Sequence, residues 1–190
     1  MNRAERIPYL DAGDSVLTPL GFRRKKRDQE WRRTIDGESV EWVHLNFGLS
    51  VINPSFGVHY AELDRLIRDN GNASWGTSIM LSTITHRSYD LVDTSPDEIA
   101  NDLLIAAREV EKLRDRSFVI KQLEAELPKD WPVASRSMRM RLLPLLLAGS
   151  GRISEALEWI GRFETLAPVE DQMVPLFGVF ASNLREHFNA

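Results

Sequence analysis

The chain has 190 residues, of which 43% are hydrophobic, so it can bury a core in one domain or one domain with an appendage, and we do not expect overall disorder. It contains no cysteine, which excludes disulfides, thiolate metal sites and a cysteine nucleophile and is compatible with a reducing cytosol. The net charge is −4, and the longest apolar run, Leu142–Ala148, is far below the roughly 20 residues of a membrane span. Since the first residues also lack the apolar run of a secretory signal, we expect a cytoplasmic protein.

The opening segment predicts one or two short helices up to about Leu20, because Pro8, Gly13 and Pro19 limit the length of a helix there. Its candidate inward residues are Ile7, Leu10, Val16, Leu17 and Leu20. We expect the chain to turn from helix to strand at Leu20–Phe22.

A meander of antiparallel strands is predicted next. Trp31, Arg33 and Ile35 alternate before an Asp36-Gly37 turn, and Val43, Leu45, Phe47, Leu49 and Val51 alternate after it, so that Trp42, His44, Asn46 and Ser50 point to the other face. The pattern predicts a break at Asn53–Ser55, a third strand with Phe56, Val58 and Tyr60 inward, a short helix within 61–72, and one or two strands through Ile79, Leu81 and Thr83.

The sequence "TSPDE" predicts the start of a long helix at Pro96, because Ser95 and Glu98 form a capping box and proline suits the first helical position. The apolar stripe continues to Pro128, and we expect the helix either to span about 30 residues or to break near Arg114–Ser117. Two or three further helices are predicted, over Ser135–Ala148, Arg152–Leu166 and about Glu170–Phe188. We divide the chain into an α+β domain (1–127) and a docked helical extension (128–190).

The residues from Arg23 to Arg33, here called the basic strip, include seven basic and two acidic residues, which leaves −9 on the rest of the chain. Three interpretations remain open: a solvated hairpin face, a docking surface for an acidic protein, and a nucleic-acid contact. A dedicated nucleic-acid-binding protein usually has a basic domain, so the charge of the whole chain favours the first two.

No catalytic signature is present, since the chain lacks a nucleophile elbow, a phosphate loop and a dinucleotide fingerprint. The four histidines do not have the spacing of a metal site. An enzyme could still use His44, His59 and Glu62, or the carboxylates around Asp93, if these groups converge in a pocket. Trp42 is the tryptophan that we expect at an exposed binding surface, since it lies on the polar side of its strand.

The stretch from Leu17 to Ser50, together with "FGVHYAEL", resembles a bacterial family of domains of unknown function that begin with a helix and the motif L-x-x-x-GF-[KR]-[KR]. The residues that carry the resemblance are Leu17, Gly21, Phe22, Arg23, Arg24, Trp31, Arg32 and Gly37. It covers about Ala4 to Tyr60, and the tail separately resembles a single tetratricopeptide-type helical pair. The resemblance implies an α+β domain, a bacterial cytoplasmic context and, by analogy, an immunity or accessory role beside a toxin.

The fold class expected is therefore α+β, with an N-terminal helix, an antiparallel meander of four or five strands packed by a long helix, and a C-terminal helical hairpin or bundle. We predict a non-enzymatic protein without a cofactor whose partner is another, acidic protein, with nucleic-acid binding and a small hydrolase-like or metal-dependent enzyme as alternatives. The candidate binding surface comprises Arg23, Arg24, Lys25, Lys26, Arg32, Arg33, Trp42, His44 and His59.

Overall fold

A computed structural model describes residues 2–26, 28–37, 39–66, 76–125, 136–166 and 174–189. In these ranges the helices are α1 (Arg3–Leu17), α2 (Leu63–Leu66), α3 (Leu81–Thr85), α4 (Pro96–Lys112), α5 (Arg116–Glu124), α6 (Arg136–Gly149), α7 (Ile153–Leu166) and α8 (Val174–Asn189). The strands are β1 (Arg23–Arg24), β2 (Glu30–Thr34), β3 (Ser39–Phe47), β4 (Ile52–Tyr60) and β5 (Ile79–Met80). The predicted α+β fold is confirmed.

The five strands form one antiparallel sheet in the order β1-β2-β3-β4-β5, which is the predicted meander. Trp31, Val43 and Phe56 lie side by side across β2, β3 and β4 and are fully buried. Helix α4 packs against β3 and β4 and against α1, so the helices cover this inner face of the sheet. Because side chains alternate along a strand, the intervening residues point to the opposite face, here called the outer face.

The opening segment is one helix, α1, which continues through Pro8 and Gly13 and ends at Leu17. Gly13 lies inside the helix rather than at its end. Its lack of a side chain allows Trp31 to approach closely, since a Cβ on Gly13 would lie 2.5 Å from Cζ2 of Trp31. The inward position of Leu17 is confirmed, whereas Ile7 and Leu20 are exposed, and Tyr9 is buried in their place.

The turn between β3 and β4 lies earlier than predicted. Strand β3 ends at Phe47, and Gly48 N donates to Val51 O at 2.8 Å, which closes a turn whose tip is the exposed Leu49. The predicted break at Asn53–Ser55 is wrong, because these residues pair with β3 inside β4. Pro54 is compatible with this place since its partner, Leu45, donates its own backbone N–H to Gln29 O at 2.9 Å and needs no acceptor on Pro54.

The segment after β4 differs more from the prediction. Helix α2 covers Leu63–Leu66, and the rest of the helix predicted within 61–72 lies outside the described residues. Strand β5 has only two residues, and the predicted strand at Leu81 and Thr83 is wrong because Leu81–Thr85 is helix α3. Leu81, Ile84 and Thr85 also fit a helical period, with Thr85 Oγ1 donating to Leu81 O at 3.1 Å.

The predicted start of α4 is confirmed, with Ser95 and Glu98 forming the capping box and Pro96 in the first turn. Of the two predicted outcomes, the helix breaks: α4 ends at Lys112, and the Asp115 side chain accepts hydrogen bonds from the amides of Ser117 and Phe118 at the start of α5. A new cap therefore restarts the helix in a new direction.

The three predicted tail helices are confirmed as α6, α7 and α8, with Gly151 at a positive φ of 78° in the turn between α6 and α7. Arg139 Nε donates to Leu123 O at 2.7 Å, which joins α6 to α5. The predicted boundary at 127/128 lies outside the described residues, and the two-part division stays a prediction. No helix in the described part of the chain has the length and apolar character needed to cross a membrane.

Candidate functional site

The basic strip forms a hairpin of its own in the structure. Arg23 and Arg24 make strand β1, which pairs with Arg32 and Trp31 of β2. Phe22 and Trp31 are fully buried and anchor the strip to the core. The interpretation of the strip as a solvated hairpin face does not hold for Arg24 and Arg33, as the contacts of each show.

Arg24 is held by α1 rather than presented to solvent. Its guanidinium forms an ion pair with Asp14, with Nε 3.0 Å from Oδ1, and lies 5.4 Å from the ring centre of Trp31. Trp31 Nε1 donates to the same carboxylate at 2.7 Å. Burial alone would raise the pKa of Asp14, but the hydrogen bonds from Arg24 and Trp31 outweigh it and hold that pKa below its usual value.

Arg33 is held on the inner face of the sheet. Its guanidinium lies 4.4 Å from the ring centre of Phe22 and contacts the carboxylate of Glu41, which has no exposed surface. Glu111 of α4 accepts a second hydrogen bond from Arg33 at 3.0 Å, and Arg114 Nε donates to Glu41 at 2.6 Å. The charges of Arg33, Arg114, Glu41 and Glu111 neutralise one another, so Arg33 is engaged in contacts within the fold rather than available to a ligand.

The other basic residues of the strip differ in how far their side chains are exposed to solvent and in their contacts within the chain. Arg23 donates to the carbonyls of Thr18 and Phe22 at 3.0 and 2.9 Å, and the exposed Arg32 contacts Glu30 of its own strand. Lys25 and Lys26 are exposed at the tip of the hairpin. In the described part of the strip, the exposed basic residues are therefore Arg23, Lys25, Lys26 and Arg32, and Glu30 offsets the charge of Arg32.

Lys26 forms one wall of a cavity of about 590 Å³ between α1 and the β1–β2 hairpin, here called the basic groove. Its lining residues are Arg3, Arg6, Ile7, Leu10, Asp11, Arg24, Lys26 and Gln29. Four of these residues are basic and one is acidic, and Asp14 already neutralises Arg24. Besides the ion-paired Arg24, the groove is therefore lined by the basic Arg3, Arg6 and Lys26, by the acidic Asp11, and by the apolar side chains of Ile7 and Leu10.

Arg6 is positioned by its neighbours, and the start of the helix that carries Arg3 is fixed. The Arg6 guanidinium lies 5.5 Å from the ring centre of Phe47, and with the Gln29 amide turned so that its oxygen faces Arg6, Arg6 Nη1 donates to that oxygen at 2.8 Å. Arg3 stands in the first turn of α1, which a capping box between Asn2 and Glu5 fixes at its start. Charges held in place lose little conformational freedom when a ligand binds.

The outer face carries the other predicted site residues, as their strand positions require. Trp42 stands opposite Arg32 and Gly57, and its indole comes close to Gly57, since a Cβ on Gly57 would lie 2.8 Å from Trp42 Cζ2. With Val40, His59 and Thr77 it lines a shallow cavity of about 310 Å³. Trp42 is half-buried rather than fully presented to solvent.

The predicted cluster of His44, His59 and Glu62 does not form. His44 stands opposite Ser55 and His59 opposite Val40, four residues apart on each strand, which corresponds to about 13 Å. His59 Nε2 lies 3.1 Å from Asp64, whereas Glu62 contacts Arg116. Burial lowers the pKa of His44, and the nearby Glu30 opposes that shift. In the ranges that the structure describes, no three metal-binding side chains come together.

The groove residues of α1 were not among the predicted site residues. Arg3, Arg6, Ile7 and Leu10 recur at three- and four-residue intervals, so a helical projection of the sequence would have placed them on one side of α1. That this side faces Lys26 across the groove depends on the path of the β1–β2 hairpin, which periodicity does not reveal.

In comparisons with protein-family models, curated proteins and solved structures, no match to this chain was found. The resemblance of residues 4–60 to a bacterial family of unknown function stays a prediction.

Proposed function

We propose that the protein binds another protein, and that the basic groove receives an acidic segment of this partner that also carries an apolar residue. The observation that supports the proposal is the lining of the groove, where Arg3, Arg6 and Lys26 surround the apolar Ile7 and Leu10. Cations attract and orient an acidic segment, and burial of an apolar side chain between them supplies affinity.

Nucleic-acid binding, the alternative, is less well supported. A phosphate backbone is contacted by accessible cations, whereas Arg24 and Arg33 of the basic strip are engaged with Asp14, Glu41 and Glu111. Both strip aromatics that could stack on bases, Phe22 and Trp31, are fully buried. Apolar groove residues also suit a peptide better than a phosphate chain.

A cytoplasmic location and the immunity or accessory role implied by the family resemblance belong to this proposal. An immunity protein acts by binding one partner, which is compatible with a preformed, charged groove. The lack of cysteine is compatible with a reducing compartment.

The test measures binding of a fluorescent synthetic peptide of alternating aspartate and leucine by fluorescence anisotropy. We compare the wild type with Arg3→Glu/Lys26→Glu, which reverses two exposed cations of the groove, and with the matched control Arg108→Glu/Lys121→Glu, whose cations are exposed elsewhere. We expect the control to bind like the wild type and the groove variant to lose about tenfold or more in affinity, which equals about 1.4 kcal/mol. Equal affinities of the two variants would refute the proposal.

A further inference from the structure

Two turns at one end of the sheet expose apolar side chains almost completely. Leu49 is 97% exposed in the β3–β4 turn, and Val92 is 89% exposed in the turn before α4. We call these two residues, together with Leu91, Asp90 and Asp93, the acidic tip. Apolar side chains grouped on a protein surface mark interaction sites more often than singly exposed ones do.

The two turns of the acidic tip are joined to each other by backbone hydrogen bonds. Leu91 N donates to Ser50 O at 2.9 Å, and Ile52 N donates to Tyr89 O at 2.9 Å. Beside the tip, a cavity of about 420 Å³ is lined by Leu49, Leu91, Tyr9 and Glu5. The turns that carry Leu49 and Val92 are therefore held in place by backbone hydrogen bonds, so that burial of these side chains by a partner costs little backbone entropy.

The acidic tip and the basic groove are complementary in charge. Residues 88–98 contain four carboxylates and no basic residue, and Asp90 and Asp93 flank the apolar Leu91 and Val92. The groove, in contrast, has three basic residues besides the ion-paired Arg24, and one acidic residue, around an apolar lining. The tip thus has the composition that we propose for the segment that the groove receives.

The two surfaces also lie on neighbouring sides of one helix. Glu5 and Tyr9 of α1 line the cavity beside the acidic tip, while Arg6 and Leu10 line the basic groove. A two-fold axis that passes close to α1 brings the tip of each chain to the groove of the other. Such a self-complementary interface closes at two copies and does not extend into a polymer.

We propose that a second copy of this chain occupies the basic groove, with the acidic tip of each chain docked in the groove of the other, in a two-fold dimer. The inference rests on the proposed function in one respect, since it needs a groove that accepts an acidic, apolar segment. Dimerisation and partner binding use the same groove and are therefore mutually exclusive, so that a partner segment separates the dimer.

The test uses the full chain and measures its mass by sedimentation equilibrium over a wide range of concentrations. Leu49→Ser removes the most exposed apolar side chain of the tip, and we expect it to raise the dissociation constant of the dimer about tenfold or more. Asp93→Lys and Lys26→Glu each place like charges in the interface, and we expect each to weaken the dimer. The double variant Asp93→Lys/Lys26→Glu restores opposite charges across the interface and should dimerise better than either single variant.

The control is Leu20→Ser, which removes another exposed leucine that lines neither surface, and far-ultraviolet circular dichroism verifies the fold of every variant. A wild type that stays monomeric, or a dimer that Leu49→Ser weakens no more than Leu20→Ser, overturns the inference. Binding of the aspartate–leucine peptide by a monomeric wild type would overturn the dimer and leave the proposed function intact. Absence of both dimer and peptide binding would overturn both.

Discussion

Arg114, at the break between α4 and α5, donates a hydrogen bond through Nε to the fully buried carboxylate of Glu41 in β3 at 2.6 Å, across 73 positions of sequence. Arg33 of β2 contacts the other oxygen of the same carboxylate. One buried acid therefore joins the basic strip, the centre of the sheet and the place where the long helix changes direction.

We expect Glu41→Ala to lower the free energy of unfolding by about 2 to 3 kcal/mol, somewhat less than breaking a fully buried pair costs, because Arg33 and Arg114 retain Glu111 and some solvent. Urea denaturation followed by circular dichroism measures the change. The control is Glu158→Ala, which breaks an exposed pair with Arg162 and should have an effect below about 0.5 kcal/mol. Similar losses in the two variants would show that Glu41 has no special role.

A glycine-to-alanine change inside a helix usually stabilises a protein, but the close contact between Gly13 and Trp31 predicts that Gly13→Ala lowers the stability. Since a Cβ at position 13 would lie 2.5 Å from Cζ2 of Trp31, we expect Gly13→Ala to destabilise the protein by about 1 to 3 kcal/mol. Gly161→Ala in α7 is the matched control, because no heavy atom lies within 4 Å of its added Cβ, and it should stabilise by about 0.5 to 1 kcal/mol. Thermal unfolding of both variants measures the two signs, and a stabilising Gly13→Ala would contradict the close packing.

Asp14 predicts a pH dependence of stability. The pKa of Asp14 in the folded protein lies below the usual 3.8. The contribution of its ionised carboxylate to the free energy of unfolding is therefore complete above pH 3.8, and it is lost as the pH falls through the folded pKa. At neutral pH, Asp14→Asn should cost about 1 kcal/mol, a figure reduced for solvent screening of a side chain that is 39% exposed.

The measurement for Asp14 is the difference in unfolding free energy between the wild type and Asp14→Asn as a function of pH. We expect a constant difference above about pH 5 that shrinks as the pH is lowered below 3.8. A difference that does not change with pH would mean that the carboxylate charge of Asp14 contributes nothing to its contacts with Arg24 and Trp31.

The engagement of the strip arginines predicts weak binding of nucleic acids. In electrophoretic mobility-shift assays with mixed double-stranded and single-stranded DNA, we expect retardation only at low salt and its loss at about 150 mM salt, since few accessible cations release few counterions. Lys25→Glu/Lys26→Glu should abolish the retardation at low salt as well. Binding that persists at high salt would favour the nucleic-acid alternative over the proposed function.

The sequence predicted the elements whose signals are local. The capping box at Ser95 and Glu98 marks the start of α4 because its hydrogen bonds join residues three positions apart. The alternation of Val43, Leu45 and Phe47 likewise revealed the inner face of the sheet. Leu81–Thr85 was assigned wrongly because a short apolar run satisfies the period of a strand and that of a helix.

The candidate site was predicted only in part, because charge in a sequence does not reveal its partners. Arg24 and Arg33 belong to the same basic run as Lys25 and Lys26, yet their acids stand at positions 14, 41 and 111. Pairing over such distances follows from the register of β2 with β3 and from the packing of α1 and α4. The two lysines remained accessible because the turn of the hairpin carries them away from these acids.

Both edges of the sheet are very short in the described part of the chain, since β1 and β5 have two residues each. An incoming peptide gains affinity by strand addition only when a run of free amide and carbonyl groups is available along an edge. Among the described residues, neither β1 nor β5 offers such a run. Strand addition at β1 or β5 would gain few backbone hydrogen bonds, so the partner binding that we propose depends on side chains and should be sensitive to single charge reversals.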